Sequence, residues 1–263
     1  MAKNHYYPIR WLTLATVLLA VVAAGGGLIL QNLYRDSLLI KTAWFGNDLI
    51  TLLLMPVLLA MIYNKRRDQR KHLIWLGIIL YMFYNYAFYL FGAQFNWFFL
   101  VYAALFSLSL YSLILGLFSV NIKTILESFQ DRTHRKLISI FLLGIAVPLG
   151  MVEISQCLRF IVSGDEPEIP TLILALDLSI VIPNSILSAI LLWRNNVWGI
   201  VLSAMMLVKS FTYGLVLVVG TTLIGKTGIG PWDPLLPFYV FVMVGGLGFG
   251  WLLLKNFKPA DLL

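Results

Sequence analysis

Residues 97–119 read WFFLVYAALFSLSLYSLILGLFS, twenty-three positions without a charged side chain. At ~1.5 Å per residue a helix of this length crosses the ~30 Å of hydrocarbon in a bilayer. Backbone amides find no partner in lipid unless they bond within their own segment, which makes the run helical. A barrel strand would instead alternate apolar and polar side chains, and no stretch of the chain does so.

Seven further apolar runs flank this one, at approximately 11–30, 44–63, 73–92, 137–162, 171–193, 197–220 and 237–256. The composition agrees, with 60% hydrophobic and only 12% charged residues, where soluble domains carry about 25% charged. Mean hydropathy is +0.88. The expectation is an all-α, polytopic membrane helix bundle of about eight transmembrane helices, forming a single transmembrane domain over 1–263.

The connections set an orientation. Lys3, Arg10, Lys65, Arg66, Arg67, Arg70, Lys71, Lys123, Arg132, Arg135, Lys136, Arg194, Lys255 and Lys258 all fall on one side of the alternating spans. The other side has Arg35, Lys41 and Lys226, beside the acidic loop with Asp165, Glu166 and Glu168. The positive-inside bias then puts both termini in the cytoplasm. The net charge of +7 is thus a matter of membrane orientation, and no nucleic-acid partner is expected. The first run, with its basic start and AVVAAGGG tail at 20–27, also has the layout of a cleaved signal. Its length favours an uncleaved span.

In the fourth connection, Ile122, Ile125, Leu126 and Phe129 recur at helical spacing among Lys123, Glu127, Gln130 and Asp131. That pattern reads either as a short amphipathic helix on the inner surface or as an extension of the preceding span. Asp48 with Pro56 and Lys65, and Asp177 with Pro183 and Arg194, suggest a four-plus-four duplication of about 1–119 and 137–256. Chance likeness between apolar helices is the weightier explanation, since the proline offsets differ.

Function must be read from polar residues within the spans, because an ionisable group in hydrocarbon costs about 2.5–3.5 kcal/mol on the insertion scale. Five are charged, Asp48, Glu153, Arg159, Asp177 and Lys209, accompanied by Asn85, Gln156 and Tyr213 as candidate ligand-binding residues. Counting inward from the run ends places the charges in the outer half, around a polar cavity, and leaves the inner half almost free of charge. Glu153, Gln156 and Arg159 share a helix face, as do Lys209 and Tyr213, and Asp177 can pair with Lys209 across a short turn. The same set could be a buried network that only fixes helix register. The stripe Tyr81, Asn85, Tyr89 could line the cavity, although packing against neighbouring helices explains it more simply.

His5, His72 and His134 lie in connections, and the single Cys157 excludes an internal disulfide. No metal site and no cofactor is expected. No motif of a hydrolase, metalloprotease or phosphate-binding loop is present. Between Trp44 and Leu115, the pattern Asn47-Asp48-Leu49 with Pro56, then Tyr84-Asn85-Tyr86-Ala87-Phe88-Tyr89, then Phe95-Asn96 and Phe98-Leu100-Tyr102, resembles a group of uncharacterised prokaryotic multi-pass membrane proteins. The resemblance implies a prokaryotic cytoplasmic (inner) membrane and carries no activity across. The leading expectation is a small-molecule or ion transporter, or a ligand-binding membrane module, using the outer polar cavity. A membrane-embedded enzyme acting on a lipid-borne substrate and a structural subunit of a membrane complex are the alternatives. The partners expected are the lipid bilayer, a small-molecule or ion ligand, and further subunits of an oligomer or complex.

Overall fold

The structure, a computed structural model, describes residues 6–30, 32–63, 68–129 and 134–257. Lys3, His5, Lys65, Arg66, Arg67, Gln130, Asp131, Arg132 and Lys258 lie outside them. The described chain is helical: α1 (Tyr6–Ile29), α2 (Leu38–Tyr63), α3 (Gln69–Phe91), α4 (Phe99–Phe118), α5 (Ile122–Ser128), α6 (Arg135–Ser163), α7 (Thr171–Leu176), α8 (Ile182–Trp193), α9 (Val197–Thr227) and α10 (Leu236–Leu254). A π-helical segment, Asp177–Val181, joins α7 to α8 into one span, which gives eight helices long and apolar enough to cross a membrane.

The ends of these helices follow from local chemistry. Asp68 caps α3 by accepting the Arg70 N–H at 2.9 Å, and Asn196 caps α9 by accepting that of Trp198 at 2.9 Å. Such side-chain oxygens satisfy amides that have no partner in the first turn. At the far ends, α6 and α9 stop at Gly164 and Gly228, whose φ values of 75° and 69° suit a residue without a Cβ. The π segment precedes Pro183. Proline lacks an N–H and crowds the preceding turn, and the ladder widens so that the Ile182 N–H donates to the Asp177 carbonyl.

Several helices outrun the apolar runs that announce them. α2 starts at Leu38 and α9 continues to Thr227, because Lys41, Thr42, Thr221 and Thr222 are helical at the span ends. Asp48 therefore lies ten residues, ~15 Å, inside its helix. Lys209 lies twelve residues from the start of α9 and eighteen from its end. The fourth connection resolves as a separate helix, α5, with Asn121 accepting the Thr124 N–H at 3.2 Å. Its Ile125 is buried, and the Phe129 ring meets Phe257 edge-on at 5.2 Å.

α3 and α9 form the centre of the bundle and are the most deeply buried spans, whereas α10 is the least. α1 packs on α2 and α4, α3 on α4, α6 on α8, α8 on α9, and α10 on α9; α2 and α3 close onto α9. The exterior is apolar: Leu100, Phe118, Ile161 and Val162 are all more than 70% exposed. A water-soluble bundle would hide such side chains. The small-residue tail of α1 is a packing face, where Ala20, Ala23 and Ala24 are buried and Gly27 lies directly against Asp48 and Tyr34.

The α9–α10 contact relies on two glycines facing each other's helix. A Cβ on Gly246 would come 2.6 Å from the Phe211 nitrogen, and one on Gly214 would come 2.9 Å from that of Met243. Small residues of this kind let membrane helices approach backbone to backbone. Gly246→Val should therefore cost about 1–3 kcal/mol through overpacking, read as a lower thermal aggregation temperature in detergent. Gly248→Val is the control, since nothing lies within 4 Å of that position, and it should leave the temperature unchanged.

Candidate functional site

α3 divides the buried polar residues into two groups. On one face, Tyr81, Asn85 and Tyr89 recur every four residues and meet α2. The Asp48 carboxylate accepts the Tyr34 hydroxyl at 2.7 Å and the Tyr89 hydroxyl at 2.8 Å. Thr51 and Tyr81 share a hydrogen bond at 2.9 Å, and the Asn85 amide donates to Thr51 at 3.4 Å. Rings of Tyr34, Trp44, Tyr89 and Tyr102 surround the carboxylate, with centroids 4.5–6.2 Å apart. Burial, with the Asp48 carboxylate next to it, pushes the Tyr34 phenol well above its ordinary pKa. Tyr34 thus stays protonated and donates. Nearby, Asp36 accepts the Trp44 indole N–H at 3.3 Å and the Gln94 N–H at 3.2 Å, pinning the connection between α1 and α2.

A second face of α3 presents Tyr84, one residue from Asn85 and so about 100° around the helix. Its hydroxyl donates to Asp177 in the π segment at 2.5 Å. Its ring lies under the Lys209 ammonium, with Nζ 3.9 Å from the centroid, while the Tyr213 ring meets the same nitrogen at 4.8 Å. Cation–π contacts of this kind stabilise a desolvated ammonium by about 2 kcal/mol. Lys209 forms no ion pair with a described residue, although Asp177 and Glu153 both act on it electrostatically.

Glu153 completes this group from α6. It is 0% exposed, and neither carboxyl oxygen has a hydrogen-bond partner among the described residues. Asp177 is the charged group that acts on it most strongly, followed by Lys209. Two carboxyl groups bond to each other only when one carries a proton, because a carboxylate is an acceptor alone. The site thus gathers two acids and one base among tyrosine rings, next to a widened stretch of helix.

Gln156 and Arg159 share the face of Glu153 in sequence but belong to the loop end of α6. The Gln156 side chain accepts the Ile169 N–H at 3.2 Å. Arg159 is exposed and pairs with Asp165 at 2.9 Å, and Ser163 donates to the same carboxylate at 2.9 Å. The Ser163 and Arg159 bonds hold the Asp165 carboxyl below its usual range. Beside this corner, a groove of about 820 Å3 opens between α6 and α7, reaching from Glu166 and Glu168 to Ser179.

Of the eight candidate residues, the structure brings together Glu153, Asp177, Lys209 and Tyr213. Asp48 and Asn85 lie across α3 in the first group, and Gln156 and Arg159 on the α6 rim. Tyr84, the link between Asp177 and Lys209, was not singled out. Its offset by one position from the Tyr81–Asn85–Tyr89 stripe was the available signal. Toward Arg135 and Asn195 the buried polar side chains between α6, α8 and α9 are mainly serines. There Ser139 donates to the Ala189 carbonyl at 3.0 Å and Ser203 to that of Ser188 at 3.4 Å, while Arg135 reaches Asn195 at 3.3 Å. Among the described residues, no three His, Cys, Asp or Glu side chains converge as a metal cradle.

The apolar exterior and the eight spanning helices define an integral, multi-pass membrane protein. No family model, curated protein or solved structure matches the chain.

Removing either donor to Asp48 should be costly. Tyr34→Phe and Tyr89→Phe should each destabilise by about 1.5–3 kcal/mol, the usual range for a bond to a charged group. In an Asp48→Leu background both changes should become nearly silent in a double-mutant cycle, measured by denaturant unfolding in detergent. Equal costs in both backgrounds would show that the phenols act independently of Asp48.

Proposed function

We propose that this protein is a membrane transporter or ligand-binding module for a small cation or a small protonatable molecule, with its site at Glu153, Asp177 and Lys209 between Tyr84 and Tyr213. The observation that carries the reading is Glu153, a fully buried carboxyl group with no hydrogen-bond partner among the described residues. A purely structural network would be expected to give it a donor, because a buried polar group without a hydrogen bond costs about 1–3 kcal/mol.

Charge balance points the same way. One ammonium offsets one of two carboxylates, so the site is neutral only when it holds one further positive charge. A proton on a carboxyl group or a bound cation would supply it, and exchange between the two is the step a coupled transporter needs. The π segment and Pro183 beside Asp177 supply irregular backbone near mid-span, as helices that line transport sites do. With the termini cytoplasmic, as the charge bias supports, the site would load from the outer face, beside the groove between α6 and α7.

Accessibility tests the reading. In a Cys157→Ser background, Asp177→Cys and Lys209→Cys should each react with a membrane-impermeant thiol reagent applied outside, although both residues are less than 10% exposed here, because an alternating site must open. Protection of both cysteines in a folded, inserted protein would mark a packed network and sink the proposal.

Stability separates the roles of the charges. Lys209→Met alone should cost about 3–5 kcal/mol by leaving the acids uncompensated. Lys209→Met combined with Asp177→Leu should recover most of that loss in thermal unfolding, while removing any stabilisation by added small cations.

A further inference from the structure

A second cavity lies on the other side of α9, against α2, α3 and α10. It has a volume of about 440 Å3, and its walls are apolar apart from Thr212 and the two cations at one end. Ile74, Ile78, Val208, Phe211 and Leu247 line its length, and Arg70 and Lys255 stand at its mouth. Both cations come from the end of the bundle where α3 begins and α10 finishes. From Arg70 to Ile78 the wall runs eight residues, ~12 Å, close to the depth of one leaflet.

Neither cation has an acidic partner among the described residues. The Arg70 Nε is shut away from solvent with no hydrogen-bond partner among the described residues. Lys255 Nζ rests 4.6 Å from the centre of the Trp251 ring, and among the described residues no acidic side chain lines the cavity. Trp251 is 63% exposed, the placement of an indole at a membrane–water interface. An apolar slot one leaflet deep, with a guanidinium and an ammonium at its mouth, is complementary to an anionic lipid: a chain in the slot and a phosphate between the cations. Arginine pairs with phosphate oxygens through two parallel donors, and lysine adds a point charge.

We infer that the groove between α3, α9 and α10 is a binding site for an anionic phospholipid of the leaflet that meets the basic end of the bundle, with Arg70 and Lys255 holding its phosphate. The site is separate from the Lys209 group and does not rest on the transport reading. Basic pockets between membrane helices recognise anionic headgroups in this way. The selectivity distinguishes the site from the lipid that coats any membrane protein, since a zwitterionic headgroup offers no net charge to these cations.

Native mass spectrometry of the purified protein in detergent tests the inference, with phosphatidylglycerol and phosphatidylcholine of identical chains as probes. The wild type should retain phosphatidylglycerol in preference by on the order of tenfold. Arg70→Gln with Lys255→Gln should bring the two lipids to parity. Leu247→Trp, at a position 56% exposed, should weaken retention of both lipids while keeping the cations, because it fills the slot. Inorganic phosphate at equal concentration should not displace the lipid. Parity in the wild type, a preference that survives loss of both cations, or displacement by phosphate alone would each overturn the proposal. If the double variant does not fold, the wild-type comparison and Leu247→Trp still decide it.

Discussion

Everything in this bundle follows from a solvent that cannot form hydrogen bonds. In hydrocarbon each polar group must find its partner inside the protein, so the molecule turns the usual arrangement inside out. Its exterior carries Leu100, Phe118 and Ile161, while Asp48, Glu153, Asp177 and Lys209 are buried. Burying apolar surface gains little when the surroundings are equally apolar, so cohesion must come from close packing and from polar contacts within. The glycine approaches between α9 and α10 supply the first, and the tyrosine hydroxyls supply the second.

α3 is the element through which both requirements are met. It is the most deeply buried span, and its tyrosines face two ways. Tyr89 and Tyr81 are engaged with Asp48 and Thr51 on α2, while Tyr84 is engaged with Asp177 and Lys209. One helix thereby holds two polar groups apart, with its own aromatic rings as insulation. A change in the position of α9 or of the π segment would be felt at Tyr84 before it reached the Asp48 group.

The spans were legible because their signal is length and hydropathy, which do not depend on how helices meet. Eight runs became eight spanning helices, and the differences lie at the ends, where Lys41 and Thr222 remain helical beyond the apolar stretch. The site was legible only in its residue types. Glu153, Gln156 and Arg159 share a face by spacing, yet the loop after α6 takes Gln156 and Arg159 through Ile169 and Asp165 and leaves Glu153 inside. A depth counted for Lys209 from the end of the apolar run depends on where the helix stops, and α9 continues seven residues past that run to Thr227. Which face of α3 meets which neighbour is a tertiary fact, and no periodicity within one helix contains it.

The buried acids Asp48 and Glu153 are met by their surroundings in different ways. Asp48 receives two phenolic donors and lies against Gly27, where an added Cβ would collide with the carboxylate and with Tyr34. That carboxylate is enclosed, satisfied and without room for a ligand, which suits a joint between α1, α2 and α3. Glu153 receives no donor among the described residues, faces a second acid and a lysine that is paired with aromatic rings, and stands beside a helix segment already loosened by proline. A joint built like the second group would carry an avoidable penalty, and a binding site would recover that penalty each time a cation or proton arrived. The two carboxyl groups thus differ in hydrogen bonding and not in burial, since both are almost wholly buried.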